Sequence, residues 1–445
     1  MPMPSNSTRA SAEEMSQSLR EVFGAEELTR LARETGFLVR EREVTPLALV
    51  AALVCTLGGG RVQWLADILR TYNALTGNSV RYKPFHNQLS KPAFAEFMRR
   101  SFEKALNGLT RPILAALPSG KLARFRNIWL HDGTSFALKP GLAGTWPGRF
   151  SKVSPAAVEL HVTMSALEDN PVRVSLTADK EPERPYAPEP DEVAGCLLLG
   201  DRGFEEKLTF IALSEANGSF IIRGKKNIRP RILKAFDAEG NLLPQLAGKR
   251  LSWELLPRCT VDLDIQWGSG SQTYVGRLVA IHELSSKGRK RFVYLHTNLP
   301  RMDFSCREVG LLYRLRWQIE LLFKEWKSYA NLHLFCTEKE PIAEGMIWSS
   351  LLAATLTRSM THAAEVGLCV EMSTQRAAMA AKHYLEKLMR ALLHAGQGLV
   401  DAVKRAWEYL GVNARRAHPE RDRRTGRLAS GLVPLCRHGA LPQSA

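Results

Sequence analysis

Apolar and polar positions alternate along this chain with two different periods. From residue 17 to about 120 the interval is three or four, starting with Leu19, Val22, Phe23, Leu28, Leu31 and Phe37. That spacing lines one face of a helix. Thr45-Pro46 is an N-cap followed by proline at the first helical position. Leu47 to Leu57 is almost wholly apolar and reads as a buried helix, too short to cross a bilayer, ended by Gly58-Gly59-Gly60. Further helices are expected over Val62 to Leu75 and from Pro92, which leads Phe94, Phe97, Met98, Phe102 and Leu106. Near residue 125 the period falls to two. Arg126 to His131, Val158 to Ala166 and Val172 to Leu176 read as strands, the last two as antiparallel neighbours. Cys196 to Leu199 is an unbroken apolar run, the pattern of a strand covered on both faces. A helix with Leu208, Ile211 and Leu213 then leads to a strand over Ser219 to Arg223. From Lys225 to Pro300 strand and turn alternate, with Trp253, Val261, Leu263, Ile265 and Trp267 in step, and helix returns from Ser305.

This order of elements predicts an α/β (α+β) architecture. Residues 1–16 are expected to be a flexible tail and 17–120 an N-terminal helical, DNA-docking domain. A layered domain is expected over 121–227 and 301–365, interrupted by a β-rich insertion at 228–300. Residues 366–445 are expected to form a C-terminal helical region with a mobile basic tail holding Arg415, Arg416, Arg421, Arg423, Arg424 and Arg427.

Composition narrows the partners. Apolar residues make up 45% of the 445, so the chain folds around a core. Lys and Arg number 61 against 45 Asp and Glu, a net charge of +16, which favours a polyanion such as nucleic acid. The basic stretch Arg81 to Lys91 lies between two helices; it reads as a helix–turn–helix able to dock on DNA or as a bundle with solvated basic faces. The seven cysteines are scattered and form no C-x-x-C pair, which argues against a zinc knuckle or a disulfide framework. The polar opening residues, with Glu13 and Glu14, do not read as a signal peptide. A bacterial cytoplasmic, nucleoid-associated protein with no membrane partner is expected. The sequence has no G-x-x-x-x-G-K-[ST] loop, so no nucleotide cofactor is expected.

Three segments carry candidate chemistry. Trp129-Leu-His-Asp132-Gly-Thr134 and Leu197-Leu-Leu-Gly-Asp201-Arg-Gly-Phe204 each bring an apolar strand to a carboxylate closely followed by glycine. Strand ends in open sheets are where ligands and metals bind, although an Asp before Gly is by itself commonly a turn residue. In the third, Tyr313, Arg316, Glu320, Lys324 and Lys327 recur in steps of three and four and line one face of an expected helix. Leu312, Leu315, Ile319, Leu322, Phe323 and Trp326 form its apolar face. Taken alone, that helix also reads as a surface helix with ordinary charge pairs.

Together the segments resemble the DDE transposases of the insertion-sequence-four family. Its helix signature of Tyr, two residues, Arg, three residues, Glu, six residues and Lys stands here as Tyr313, Arg316, Glu320 and Lys327. Its aspartate elements stand as Asp132-Gly133-Thr134 and Asp201-Arg202-Gly203-Phe204, in the same order. The resemblance covers about residues 20 to 360 and implies a ribonuclease-H-like catalytic domain. It implies that Asp132, Asp201 and Glu320 hold two Mg²⁺ ions, with Mn²⁺ as substitute, for cleavage at transposon ends and strand transfer into target DNA. The chemistry agrees, since hard oxygen ligands suit Mg²⁺ and paired ions serve both oxygens of a phosphodiester exchange.

The resemblance further implies double-stranded DNA partners, the terminal inverted repeats and the target, and a homodimer on DNA. Tyr313, Arg316 and Lys327 are expected to contact phosphates and bases near the cut, with Arg202 and Lys324 adding phosphate contacts. Trp253 and Trp267 are candidates for stacking on a flipped base, each with a sheet-packing alternative. His131 is a candidate further ligand beside Asp132. Two rival readings are a nuclease that cuts without joining and a non-enzymatic DNA-binding derivative.

Overall fold

The structure is a computed structural model describing residues 11–40, 43–59, 64–116, 120–268, 270, 273–284, 290–330, 332, 335–418 and 428–435. Ser11 sets where the chain becomes helical. Its hydroxyl accepts the Glu14 N–H and the Glu14 carboxylate accepts the Ser11 N–H, a capping box. Helix α1 (Ala12–Phe23) therefore begins inside the segment expected to be a loose tail. It is followed by α2 (Ala25–Glu34), α3 (Pro46–Gly58), α4 (Leu65–Thr76), α5 (Tyr82–Leu89) and α6 (Pro92–Leu109). The apolar run in α3 is buried, as its lack of a polar face requires. Residues 60–63, at the expected start of α4, lie outside the described residues.

After the short strand β1 (Leu114–Ala116), strands β2 (Ile128–Ala137), β3 (Ala157–Ser165) and β4 (Asn170–Ala178) form an antiparallel meander. Helix α7 (Pro190–Val193) leads to β5 (Leu197–Gly200), which lies parallel to β2; α8 (Lys207–Glu215) leads to β6 (Ser219–Arg223), parallel to β5. Next come β7 (Arg231–Asp237), β8 (Val261–Trp267), β9 (Tyr274–Leu284) and β10 (Lys290–Thr297). All nine strands from β2 to β10 make one sheet, in the order β4-β3-β2-β5-β6-β10-β9-β8-β7.

The strands of the expected insertion are thus not a detached unit. Leu295 to Thr297 of β10 pair with Arg223 to Ile221 of β6, so they extend the sheet where β6 would otherwise be an open edge. Trp253 is not on a strand at all: it lies in a turn between β7 and β8 and is exposed.

The sheet is covered on both sides, and its alternation shows this. In β5, Leu197 and Leu199 join the larger core while Leu198 joins a second core around Phe210 of α8 and Phe220 of β6. Helices α9 (Cys306–Arg314), α10 (Trp317–Tyr329) and α11 (Glu340–Leu368) contribute Leu312, Ile319, Leu322 and Trp348 to the larger core. Helices α12 (Thr374–Ala380), α13 (Leu385–Leu393) and α14 (Leu399–Asn413) complete the chain's helices.

The N- and C-terminal helices pack together. α11 lies along α6 and α3, α13 against α3, and α14 against α1, within one shared core. The reason is that α3 is apolar on every side and needs covering from several directions, which its sequence neighbours alone do not supply. The chain end also returns. Strand β11 (Leu432–Pro434) pairs antiparallel with β1 and buries Leu432, so this part of the expected mobile tail is ordered. Arg421, Arg423, Arg424 and Arg427 lie outside the described residues.

A buried ion network ties α10 to the sheet. From α11, Arg358 donates to the Glu325 carboxylate of α10 at 2.8 Å. It also reaches the Asp169 carbonyl at 2.5 Å and the Asp169 carboxylate at 2.9 Å, in the turn between β3 and β4. All three side chains are almost fully buried. Removing one partner strands the other charges away from water. We predict that Arg358→Ala lowers unfolding free energy by about 3–5 kcal/mol, as for other broken buried pairs; urea denaturation showing a loss under about 1 kcal/mol would mean the network is dispensable.

Candidate active site

The register between β2 and β5 builds the first half of the site. His131 lies opposite Gly200, so the next residues, Asp132 and Asp201, stand side by side at the point where β5 ends. Asp201 opens a 3-10 turn over Arg202–Phe204. The second half comes from α10, which packs on β2 and presents Glu320.

The expected single helix from Ser305 is broken in two. Between α9 and α10 the hydrogen bonds shorten to three-residue spacing: Arg316 N–H donates to the Tyr313 carbonyl at 3.1 Å and Ile319 N–H to the Arg316 carbonyl at 3.2 Å. The tightened turn brings Arg316 to the N-terminus of α10. There its guanidinium donates to Asp132 Oδ2 at 2.6 Å and, through its other terminal nitrogen, to Glu320 Oε1.

Arg316 is 8% exposed, so this bridge forms where water screens little. Arg316 stands between Asp132 and Glu320, and Asp201 lies beside Asp132 on the neighbouring strand. Among the described residues no group of three or more His, Cys, Asp or Glu converges closely enough to hold an ion. Arg316 stands here as a counter-cation between Asp132 and Glu320. Asp201 is different. Its Oδ1 is buried without a hydrogen-bond partner among the described residues, and the nearest cation, Arg223 Nη1, is 4.0 Å away.

The remaining expected residues divide. Tyr313 ends α9 with its ring centroid 6.0 Å from the Arg316 guanidinium carbon. Lys327 is half-buried, and burial pushes its pKa down. Lys324 is exposed and borders a cavity of about 190 Å³ shared with Gln318, Glu325 and Arg358. Arg202 is half-buried in the turn after Asp201. Trp267 packs inward, its ring stacked 5.6 Å from His296 and 6.4 Å from Phe210. Trp253 instead borders an open cleft of about 200 Å³ with Lys226, Arg291, Phe292 and Tyr294. His131 is no ligand beside Asp132, since neighbours on a strand point to opposite faces. It is buried against Phe204, 2.9 Å from the Thr163 hydroxyl, and burial pushes its pKa down to about 3.

Two acids that the sequence did not single out lie behind β2, on the face opposite Asp132, close enough to feel its charge. A Cβ on Gly133 would lie 2.7 Å from Glu159 Oε1 and 2.8 Å from Glu183 Oε1; one on Gly203 would lie 2.9 Å from Glu183 Oε2. A side chain at either glycine would have to displace a glutamate carboxylate packed against it. Glu183 sits in Lys180-Glu-Pro-Glu-Arg-Pro185, which reads as a charged linker and carries no signal of a site. Burial, then the negative charges of Asp132, Glu159 and Asp201, push Glu183 up to about 7. Burial also raises Asp132, with Arg316 opposing the rise.

The sequence suggests that both aspartates end strands; Asp201 does follow β5, but Asp132 lies inside β2, which runs on to Ala137 paired with β3. These adjacent carboxylates, faced by a helix with a third, define a candidate phosphoryl-transfer centre. The chain belongs to the family described as the transposase DDE domain, which matches residues 123–356. It is 26% identical to the transposase for insertion sequence element IS421 of Escherichia coli, over 74% of this chain and 89% of that protein. It is 23% identical to the transposase for insertion sequence element IS231E of Bacillus thuringiensis subsp. finitimus, over 92% of each. A cryo-EM structure of piggyBac transposase in a synaptic complex with hairpin DNA aligns with a TM-score of 0.47 and 12% identity, over 94% of this chain and 88% of that one.

Glu183 gives a pH test. A carboxyl group raised in the folded state holds a proton that the unfolded chain has released. Between about 4.5 and about 7 the folded state therefore binds more protons, and stability falls as pH rises through this window. With EDTA present, Glu183→Gln is expected to raise the melting temperature at pH 8 and to converge with the parent chain near pH 5. A variant no more stable than the parent at pH 8 would contradict the raised pKa.

Proposed function

We propose that this chain is a cut-and-paste DNA transposase in which Asp132, Asp201 and Glu320 form the catalytic centre of a ribonuclease-H-like domain. The observation that carries the reading is the shared guanidinium: Asp132 and Glu320, far apart in sequence, meet through the buried Arg316. The strand order β4-β3-β2-β5-β6, antiparallel then parallel, supports the fold assignment. Family membership supports the activity, cleavage at transposon ends followed by strand transfer.

DDE transposases generally use divalent metal ions, and here the donor set suits two Mg²⁺, with Mn²⁺ as substitute. When bound, such ions activate the attacking oxygen and stabilise the leaving one. Asp132, central between the other two acids, would bridge; Asp201, with its unpaired oxygen, and Glu320 would each complete one site. The protein's own part is placement. β2 and β5 hold two carboxylates at fixed register, and α10 supplies the third from the other direction.

Arg316, Tyr313 and Lys327 lie on or beside the helix bearing Glu320 and would meet phosphates and bases at the cut, with Arg202 and Lys324 further out. Trp253, exposed beside Lys226 and Arg291, suits stacking on an unpaired base better than the packed Trp267. Both transposon ends must be held together, so the working form is a homodimer on DNA.

The test uses the full chain with duplex DNA carrying its flanking inverted repeat and Mg²⁺ or Mn²⁺. Asp132→Ala, Asp201→Ala and Glu320→Ala should each slow strand cleavage by at least about 100-fold, a loss on the scale of removing a main electrostatic contributor. End binding should persist in gel-shift assays, and EDTA should stop all strand chemistry. Cleavage retained by any one variant would remove that residue from the centre. A joining assay with pre-cut ends separates a transposase from a nuclease of the same fold.

Lys327→Ala should weaken end binding and reduce the slope of log affinity against log salt by about one; an unchanged slope would exclude a phosphate contact.

A further inference from the structure

The loop joining β2 to β3 ends in an exposed apolar tip. Phe150 is 68% exposed and Val153 88%. Between residues 148 and 154 the only charged side chains are Arg149 and Lys152, both exposed and both positive.

The tip is held stiffly. Pro147 and Ala156 form an antiparallel bridge below it, and Gly148 N–H donates to the Pro155 carbonyl at 2.9 Å. A Cβ on Gly148 would lie 2.0 Å from the Ser154 carbonyl oxygen, so glycine lets the two legs close. Above this neck, Val153 and Ser154 N–H both donate to the Phe150 carbonyl, at 2.9 and 2.7 Å. A short chain of contacts joins the tip to the centre. Arg149 Nη2 lies 3.0 Å from Glu159 Oε2, and Glu159 is one of the acids packed on Gly133, next to Asp132. The Arg149 N–H donates to Asp179 Oδ2 at 2.8 Å, which anchors the residue before Phe150.

We propose that Phe150 and Val153 form a wedge that inserts between base pairs of the duplex beside the cut, while Lys152 meets the adjoining phosphates. The inference rests on the transposase reading and adds to it where and how the DNA is deformed. Apolar side chains flanked by cations are the means by which proteins unstack a base step. Solvent-exposed Phe and Val at a tip without acids suit a polyanion with apolar base faces better than a second copy of this chain, whose net charge is +16.

The experiment uses the full chain, EDTA for binding, and end duplexes with 2-aminopurine placed at successive steps across the cut. The parent chain should raise fluorescence several-fold at one step. The double variant Phe150→Ala, Val153→Ala should still shift the duplex but give no rise. With metal, it should cleave paired DNA roughly tenfold or more slowly, since unstacking costs a few kcal/mol per step. A mismatch at that step should restore most of its rate, which a merely structural defect would not allow, and Phe150→Leu should behave like the parent.

An equal fluorescence rise in the double variant would overturn the wedge, as would failure of the mismatch to rescue. So would loss of self-association by the double variant without DNA, which would make the tip a contact between copies. If the parent chain itself does not bind its end DNA, the transposase reading falls first, and the wedge with it.

Discussion

A single guanidinium holding two carboxylates organises this molecule. Asp132 and Glu320 would repel each other across a poorly hydrated gap, and Arg316 turns that repulsion into two charge-assisted hydrogen bonds. The arrangement needs Arg316 to emerge at the start of α10, and this in turn needs the three-residue hydrogen bonds that separate α9 from α10. Without the tightened turn, Arg316 and Glu320 would be ordinary neighbours one turn apart on a surface helix, with no reason to face β2. The same geometry explains why the acids do not close on one another: positive charge already stands between two of them.

The bridge works only if α10 is fixed relative to the sheet, and its far side supplies the anchor. Glu325, on α10 five residues after Glu320, is held by Arg358 of α11, which also grips the β3–β4 turn through Asp169. One helix thus carries two buried carboxylate–arginine contacts facing different partners. The first touches the strand with Asp132 and the second touches the other end of the meander. Because α11 also packs on α3 and α6, the helical bundle sets the position of Glu320 as directly as the sheet sets Asp132 and Asp201.

Much of this was legible in the sequence, and the reasons are local. The period-two run over Val158 to Ala166 and the unbroken apolar run from Cys196 to Leu199 found β3 and β5 because a strand buried on one or both faces leaves a pattern in its own residues. The Asp-Gly pairs and the Tyr–Arg–Glu–Lys spacing likewise sit in short contiguous segments. What stayed hidden depends on distant partners. Nothing in Lys225 to Pro300 says that its strands continue the main sheet, since that requires β10 to return beside β6. The apolar face of α3 does not say that α11 and α13 cover it. Glu183 lies in a proline-rich charged loop whose composition resembles a linker, and only the fold brings it onto Gly133 and Gly203. The break after Arg314 was invisible for another reason: Leu315 and Arg316 keep helical dihedrals, so neither proline nor glycine marks it.

The glycines show how the site and the fold constrain each other. Asp132-Gly133 and Asp201-Arg202-Gly203 look like turn chemistry, yet Gly133 lies inside a paired strand, opposite His161. Its missing side chain is a matter of space. Glu159 and Glu183 bring carboxylate oxygens to where a Cβ would stand, so an alanine there would push those acids aside. Five carboxylates thus lie on the two faces of this part of the sheet, balanced by Arg316, Arg149 and, more distantly, Arg223. So dense a set of like charges is unfavourable unless cations join it. That local excess of negative charge sits inside a chain whose overall charge is strongly positive, so the two signs are segregated and not evenly mixed.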